Sequence, residues 1–68
     1  MNEQYAKGKW KEIKGKVKEQ WGDLTDDEID RIEGQRDQLL GIIQQRYGMA
    51  REDAERDVEL WEARNRIR

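Results

Sequence analysis

The residue types that carry most enzyme chemistry are missing from this 68-residue chain. It has no serine, histidine or cysteine, so a catalytic triad, a thiolate nucleophile and an imidazole base are excluded. The one aliphatic hydroxyl belongs to Thr25, and its context assigns it to a helix cap. An ordinary zinc site also needs histidine or cysteine. The sequence therefore predicts a protein that is not an enzyme and that holds no metal or cofactor.

Carboxylates are the remaining groups that could do acid–base chemistry or bind calcium. The stretch Asp23-x-Thr25-x-Asp27 imitates the start of a calcium-binding loop. The match then fails, because Glu28 stands where the loop needs glycine and Gly34 where it needs a bidentate glutamate. No evident pocket is available to raise a carboxyl pKa. These acids are interpreted as a solvated helix start: Asp26, Asp27, Glu28, Asp30 and Glu33.

The lysines offer the clearest candidate for a binding surface. All six fall in one stretch, residues 7–18, which reads as an amphipathic helix. In a helical projection at about 100° per residue, the lysines lie along both edges of an apolar stripe. This pattern is typical of a helix lying on an anionic membrane surface, but it also describes a first helix whose lysine stems cover the edge of a core, and the second interpretation is favoured. One edge is the candidate contact for an anionic surface or a partner: Lys7, Lys11, Lys14 and Lys18. The other edge holds Lys9 and Lys16.

The distribution of charge argues against nucleic acid as the partner. Residues 1–24 hold six lysines against four acids, a balance of +2, while residues 25–68 hold eight arginines against twelve acids, a balance of −4. The basic region has no arginine and the chain matches no recognised nucleic-acid-binding motif. Neither a membrane-spanning run nor the apolar core of a signal peptide is visible, so a cytoplasmic location is expected. No small-molecule substrate is expected.

Hydrophobic periodicity predicts an all-α single domain of about four helices, arranged as two packed helical hairpins. The predicted helices cover residues 6–21, 26–31, 33–47 and Arg51–Asn65, with fraying expected at residues 1–5 and 66–68. Thr25 and Glu28 should form a capping box. Gly22 and Gly48 should end helices in the left-handed conformation. Ala50 stands where a capping side chain would be favoured.

The predicted core follows from one face of each helix. Its members are Trp10, Ile13, Val17, Trp21, Leu24, Ile29, Ile32, Leu39, Ile43, Tyr47, Val58 and Trp61, with Leu40 and Ala54 on the same stripes. Four glycines fall inside predicted helices, on the side away from these stripes: Gly8, Gly15, Gly34 and Gly41. Each costs about 0.5–1 kcal/mol relative to alanine. Either the helices are marginally stable, or something outside approaches their backbones closely.

Three segments carry a resemblance to a known family. They are GKWKEIKGKVKEQWGDLTDDEID, EGQRDQLLGIIQQRYG and EDAERDVELW, and together they span about residues 7–62. The chain resembles the CsbD-like family of small bacterial general-stress proteins. The resemblance implies a small all-helical fold, abundance under stresses such as stationary phase or osmotic stress, and no enzyme activity. Ala50 departs from the serine or threonine expected after the Tyr-Gly turn.

Two functional hypotheses remain open at this point. The first is a folded interaction module with a protein partner. The second is a hydrophilin-like protectant that acts by abundance and hydration, which the 44% charged composition and a mean hydropathy of −1.33 would suit. Binding to an anionic membrane surface is a further alternative. Three tryptophans at core spacing favour the folded domain.

Overall fold

Four helices, formed by amphipathic segments, make up the part of the chain that the computed structural model describes, residues 5–67. They are α1 (Lys7–Gln20), α2 (Asp26–Ile32), α3 (Arg36–Tyr47) and α4 (Arg51–Asn65). The predicted all-α class is confirmed, and the bounds of α4 are those predicted. Residues 1–4 and 68, where fraying was predicted, lie outside the described residues.

Helices that follow each other in the chain pack against each other in space. The contacts run from α1 to α2, from α2 to α3 and from α3 to α4, as expected for two helical hairpins. Aromatic side chains join the first helix region to the last helix. The rings of Trp21 and Trp61 meet edge to face with their centroids 5.0 Å apart, and Tyr5 meets Trp61 in the same manner at 6.3 Å. Such pairs add stability beyond the apolar area that they bury.

The core lies between these helices and contains most of the predicted residues. Trp10 is half-buried, with its ring stacked on that of Tyr5 at a centroid distance of 6.0 Å. The prediction for Tyr47 is corrected, because this side chain is 37% exposed. Tyr47 ends α3, and its hydroxyl accepts a hydrogen bond from the Asp23 N–H at 3.3 Å, so the ring lies at the edge of the core. The buried apolar residues are Tyr5, Ile13, Val17, Trp21, Leu24, Ile29, Ile32, Leu39, Leu40, Ile43, Ala54, Val58 and Trp61.

The turns agree with the sequence at two positions and differ at a third. Thr25 Oγ1 accepts from the Glu28 N–H at 3.1 Å, and Glu28 Oε1 accepts from the Thr25 N–H at 2.9 Å, which confirms the capping box. Gly48 ends α3 with φ 63°, as predicted. Gly22 does not adopt a left-handed conformation; the chain instead leaves α1 at Trp21, with φ −120° and ψ 74°.

The connection between α2 and α3 differs most from the prediction. Helix α3 begins at Arg36, because Glu33 (φ 50°) and Gly34 (φ 77°) both take left-handed conformations. Gly34 is buried, and its carbonyl oxygen accepts a hydrogen bond from the Tyr5 N–H at 2.7 Å. A β-carbon at Gly34 would lie 3.4 Å from the carbonyl oxygen of Tyr5. Gly34 therefore lies outside a helix and serves a close backbone approach.

The remaining internal glycines fit the prediction of exposed helix positions. Added β-carbons at Gly8, Gly15 and Gly41 would meet no atom within 4 Å. At these three positions no neighbour within the described fold requires glycine, so the cost to helix stability remains without compensation from packing.

Candidate functional site

The predicted lysine contact surface is divided by the fold. Lys14 forms an ion pair with Asp30. Lys18 Nζ donates to the carbonyl oxygen of Leu24 at 2.7 Å and lies 3.7 Å from Asp26 Oδ1. The open groove between α1 and α2, about 420 Å³, therefore has acidic groups beside its lysines. Two of the four candidate lysines therefore hold α1 against α2 and the turn that precedes it.

Lys7 and Lys11, the other half of that edge, are exposed. Neither forms an ion pair with any of residues 5–67. These two ammonium groups remain available to an external anion.

The second lysine edge faces the end of α4 across a groove. Two open cavities of about 270 and 200 Å³ lie there, and they share Lys16 and Asn65 in their linings. Arg64 lines the first cavity, while Lys9 and Arg66 line the second. We call the two cavities together the α1/α4 groove. Its linings also contain Glu12, Glu19, Gln20, Ile13, Trp61 and Ile67.

The most enclosed polar group of the described fold is the Glu62 carboxylate. Glu62 is 4% exposed, and its Oε2 accepts from the Tyr5 hydroxyl at 2.7 Å and from Arg36 Nε at 3.0 Å. The network joins the segment before α1, the first residue of α3 and the last turn of α4. Within residues 5–67, every buried side-chain nitrogen or oxygen has a hydrogen-bond partner. Satisfaction of this kind is what allows a charge to remain inside a small core.

The sequence missed this network. Tyr5 was assigned to a fraying lead-in, whereas the structure buries it. Glu62 could have been found from spacing, because it follows the core residue Val58 by four positions and so lies on the buried face of α4. Arg36 offers no comparable signal, because Glu62, the partner that the structure shows for it, lies 26 residues further along the chain.

A helix cap and hydrogen-bonded ion pairs shift the pKa values of two groups. Hydrogen bonding to the Thr25 N–H lowers the pKa of Glu28 from its ordinary value, and Arg46, whose Nη2 lies 2.6 Å from Glu28 Oε2, lowers it further. Hydrogen bonds to Glu55 and then to Asp37 raise the pKa of Arg51. Each shift favours the charged form of its group, and both groups keep some contact with solvent.

The side chains of the described residues are suited to binding a partner rather than to making or breaking covalent bonds. The Thr25 hydroxyl is occupied by its cap. Across the described span 5–67, the structure contains no group of three or more histidine, cysteine, aspartate or glutamate side chains placed to hold a metal ion. None of the helices formed by these residues is both long and apolar enough to span a membrane.

Comparison with known proteins places the chain among small bacterial homologues. Residues 4–56 match the CsbD-like family. The UPF0337 protein YjbJ of Escherichia coli K12 is 59% identical over 68 residues, covering 100% of this chain and 99% of the relative. YjbJ of Salmonella typhimurium is 57% identical, covering 100% and 97%. A UPF0337 protein of Pectobacterium atrosepticum is 60% identical over 62 residues, covering 91% and 90%.

Proposed function

Because the chain belongs to the CsbD-like family of general stress-response proteins, we propose that it acts as a small, non-enzymatic helical module that binds a protein partner in the bacterial cytoplasm. The buried Glu62 network is the observation that carries this proposal. It ties Tyr5 to α3 and α4 through one carboxylate and requires these three parts to keep one arrangement.

A fixed arrangement of this kind suits a binding surface better than it suits a protectant. Burying a carboxylate and a guanidinium costs desolvation energy, and a core of apolar side chains would avoid that cost. A chain that acts by hydration and abundance needs neither a packed core nor a buried ion pair. Family membership indicates a role in the general stress response. The fixed arrangement of the helices favours binding through a defined surface as the way in which the protein acts.

The absence of residue types that commonly perform catalysis supports the non-enzymatic part of the proposal. The chain has neither histidine nor cysteine, and the described cavities are open grooves of modest volume. Small-molecule sites are usually deeper and enclose most of their ligand. Recognition through the exposed faces of α1 and α4 is the use that this geometry supports.

Two parallel assays test the proposal against the protectant hypothesis. The protein and a scrambled chain of identical composition are compared in crosslinked lysates of stressed bacteria and in protection of a drying reporter enzyme. The interaction-module hypothesis predicts that the native sequence, but not the scrambled chain, captures a partner, and that this capture saturates. Equal protection by the scrambled chain, together with no partner above the scrambled control, would support the protectant and contradict the module.

Membrane-surface binding is tested with one variant of α1. The apolar stripe of this helix includes Ile13 and Val17, which are buried in the core, so an anionic surface would meet lysines rather than the stripe. Changing the predicted edge together to glutamine (Lys7, Lys11, Lys14 and Lys18) should leave vesicle affinity unchanged under the module hypothesis. A large loss of affinity for anionic vesicles would favour membrane binding instead.

A further inference from the structure

We propose that the α1/α4 groove is the docking site for an acidic amphipathic helix of the partner protein. This inference rests on the proposed interaction module and adds to it the place and the chemistry of recognition. The groove was not the predicted contact: the sequence pointed to the opposite lysine edge, half of which the fold uses internally.

The groove holds cations that the fold leaves without ionic partners. Lys9, Lys16, Arg64 and Arg66 line it, and none of them forms an ion pair with another of the described residues. By contrast, most of the other arginines in the described range are paired with acids, as Arg46 is with Glu28. Four such charges around one groove attract an anionic ligand.

The acids beside the groove indicate which class of anion fits. Glu12 and Glu19 line its α1 side, seven residues apart, and they repeat the spacing of Lys9 and Lys16. A uniform polyanion, such as a nucleic-acid backbone or an anionic bilayer, would be repelled by both carboxylates. A protein helix can instead place acids opposite the lysines and a cation opposite each glutamate. The mixed pattern therefore favours a polypeptide.

The dimensions of the groove also suit a helix. Lys9 and Lys16 lie about 10 Å apart along α1, which is two turns of a partner helix. Each cavity, at about 270 and 200 Å³, can receive side chains but is small for a cofactor. Ile67 is half-buried and packs against the core at the end of the groove, where it offers an apolar contact. Helix-in-groove binding uses this combination of apolar contacts and charged rims.

The test uses a defined peptide probe and two matched variants of the full chain. The probe is a labelled helical peptide of three heptads, with glutamates on one face and a lysine every seventh residue beside them. Its control has the same composition, with the glutamates spread around the helix. The groove variant is Lys16→Glu with Arg64→Glu. The matched variant is Lys11→Glu with Arg56→Glu, which also replaces one lysine of α1 and one arginine of α4, here at two exposed positions.

Fluorescence anisotropy should show that the probe binds the native chain more tightly than its control. The groove variant should weaken that binding about tenfold or more, and the matched variant about twofold or less, because close charge pairs outweigh the general field. Circular dichroism checks that both variants remain folded. Equal weakening by the two variants, equal binding of both peptides, or no peptide binding would overturn the proposal.

Parallel titrations identify a different ligand if one is preferred. Duplex DNA and phosphatidylglycerol vesicles are titrated against the same variants. If either binds more tightly than the probe and loses affinity in the groove variant, the polypeptide assignment is wrong. The lysate assay distinguishes failure of this inference from failure of the proposed function. If the groove variant still captures a saturable partner, the docking site is wrong but the interaction module stands. If the native chain captures no partner, the interaction module itself is contradicted.

Discussion

The Glu62 network offers the sharpest test of how this small fold is held together. Glu62→Ala removes the carboxylate on which the Tyr5 hydroxyl and Arg36 Nε converge. The side chains of Arg36 and Glu62 are 12% and 6% exposed, so the pair is largely shielded from water. Breaking such a pair by removing one partner costs about 3–5 kcal/mol. We expect about 3 kcal/mol here, the lower end, because Arg36 keeps some exposure to water.

This loss is comparable with the whole stability of the domain. A core on so short a chain typically gives about 3–5 kcal/mol of net stability. Glu62→Ala should therefore populate the unfolded state at room temperature. Tyr5→Phe keeps the ring contacts with Trp10 and Trp61 and loses one hydrogen bond, so a smaller cost of about 1–2 kcal/mol is expected.

Urea unfolding followed by far-ultraviolet circular dichroism and tryptophan fluorescence measures both values. Glu59→Ala is the matched control, because it removes an exposed glutamate from the same helix and should change the free energy of unfolding by less than about 0.5 kcal/mol. If Glu62→Ala were no more destabilising than Glu59→Ala, the network would not hold the fold together, and the main support for the interaction module would be lost.

Three further predictions concern the helices and their ends. Gly15→Ala should raise the free energy of unfolding by about 0.5–1 kcal/mol, because the site is open and lies in the middle of α1. Gly34→Ala should lower the free energy of unfolding, because φ is 77° and the added β-carbon would lie 3.4 Å from the Tyr5 carbonyl oxygen. Ala50→Ser should stabilise α4 by about 0.5–1 kcal/mol, since Ala50 already has the extended conformation of a cap, with φ −70° and ψ 157°. The lowered pKa of Glu28 stabilises the fold at pH values above the ordinary glutamate pKa, and this contribution is lost as pH falls through the folded-state pKa. In Glu28→Gln the free energy of unfolding should therefore depend less on pH in the acid range.

Urea midpoints measure the first two predictions, and a series of midpoints from neutral to acid pH measures the third. Ala50→Val, which cannot accept a hydrogen bond, is the control for the new cap. Asp27→Asn removes a neighbouring exposed acid and is the control for Glu28→Gln. A stabilising Gly34→Ala, an Ala50→Ser no better than Ala50→Val, or the same acid profile for Glu28→Gln and the native chain would each contradict the structural reason given.

Local signals in the sequence were enough for most of the helices. The capping box needs only a threonine and a glutamate three residues apart, so Thr25 and Glu28 could be read directly. The bounds of α4 followed from its acidic start and the periodicity of Val58 and Trp61. These features depend on neighbours within about one or two turns, which a linear pattern contains.

Features that depend on distant partners were out of reach. Glu33 takes a left-handed conformation that is uncommon for a residue with a side chain, so no pattern predicted the late start of α3. Tyr5 is buried because Glu62 and Gly34 meet it, and both lie far along the chain. The division of the lysine edges has the same origin: Lys14 finds an acid only because α2 packs beside α1.

The link from Tyr5 to Glu62 also makes the burial of the segment before α1 depend on a residue far along the chain. The hydrogen bond joins residues 57 positions apart, whereas the helix-to-helix contacts run between successive elements. The first hairpin forms from helices that are neighbours in the chain, whereas the burial of Tyr5 needs a carboxylate near the other end of the described residues. A chain truncated before residue 62 therefore lacks the carboxylate that joins Tyr5 to α4.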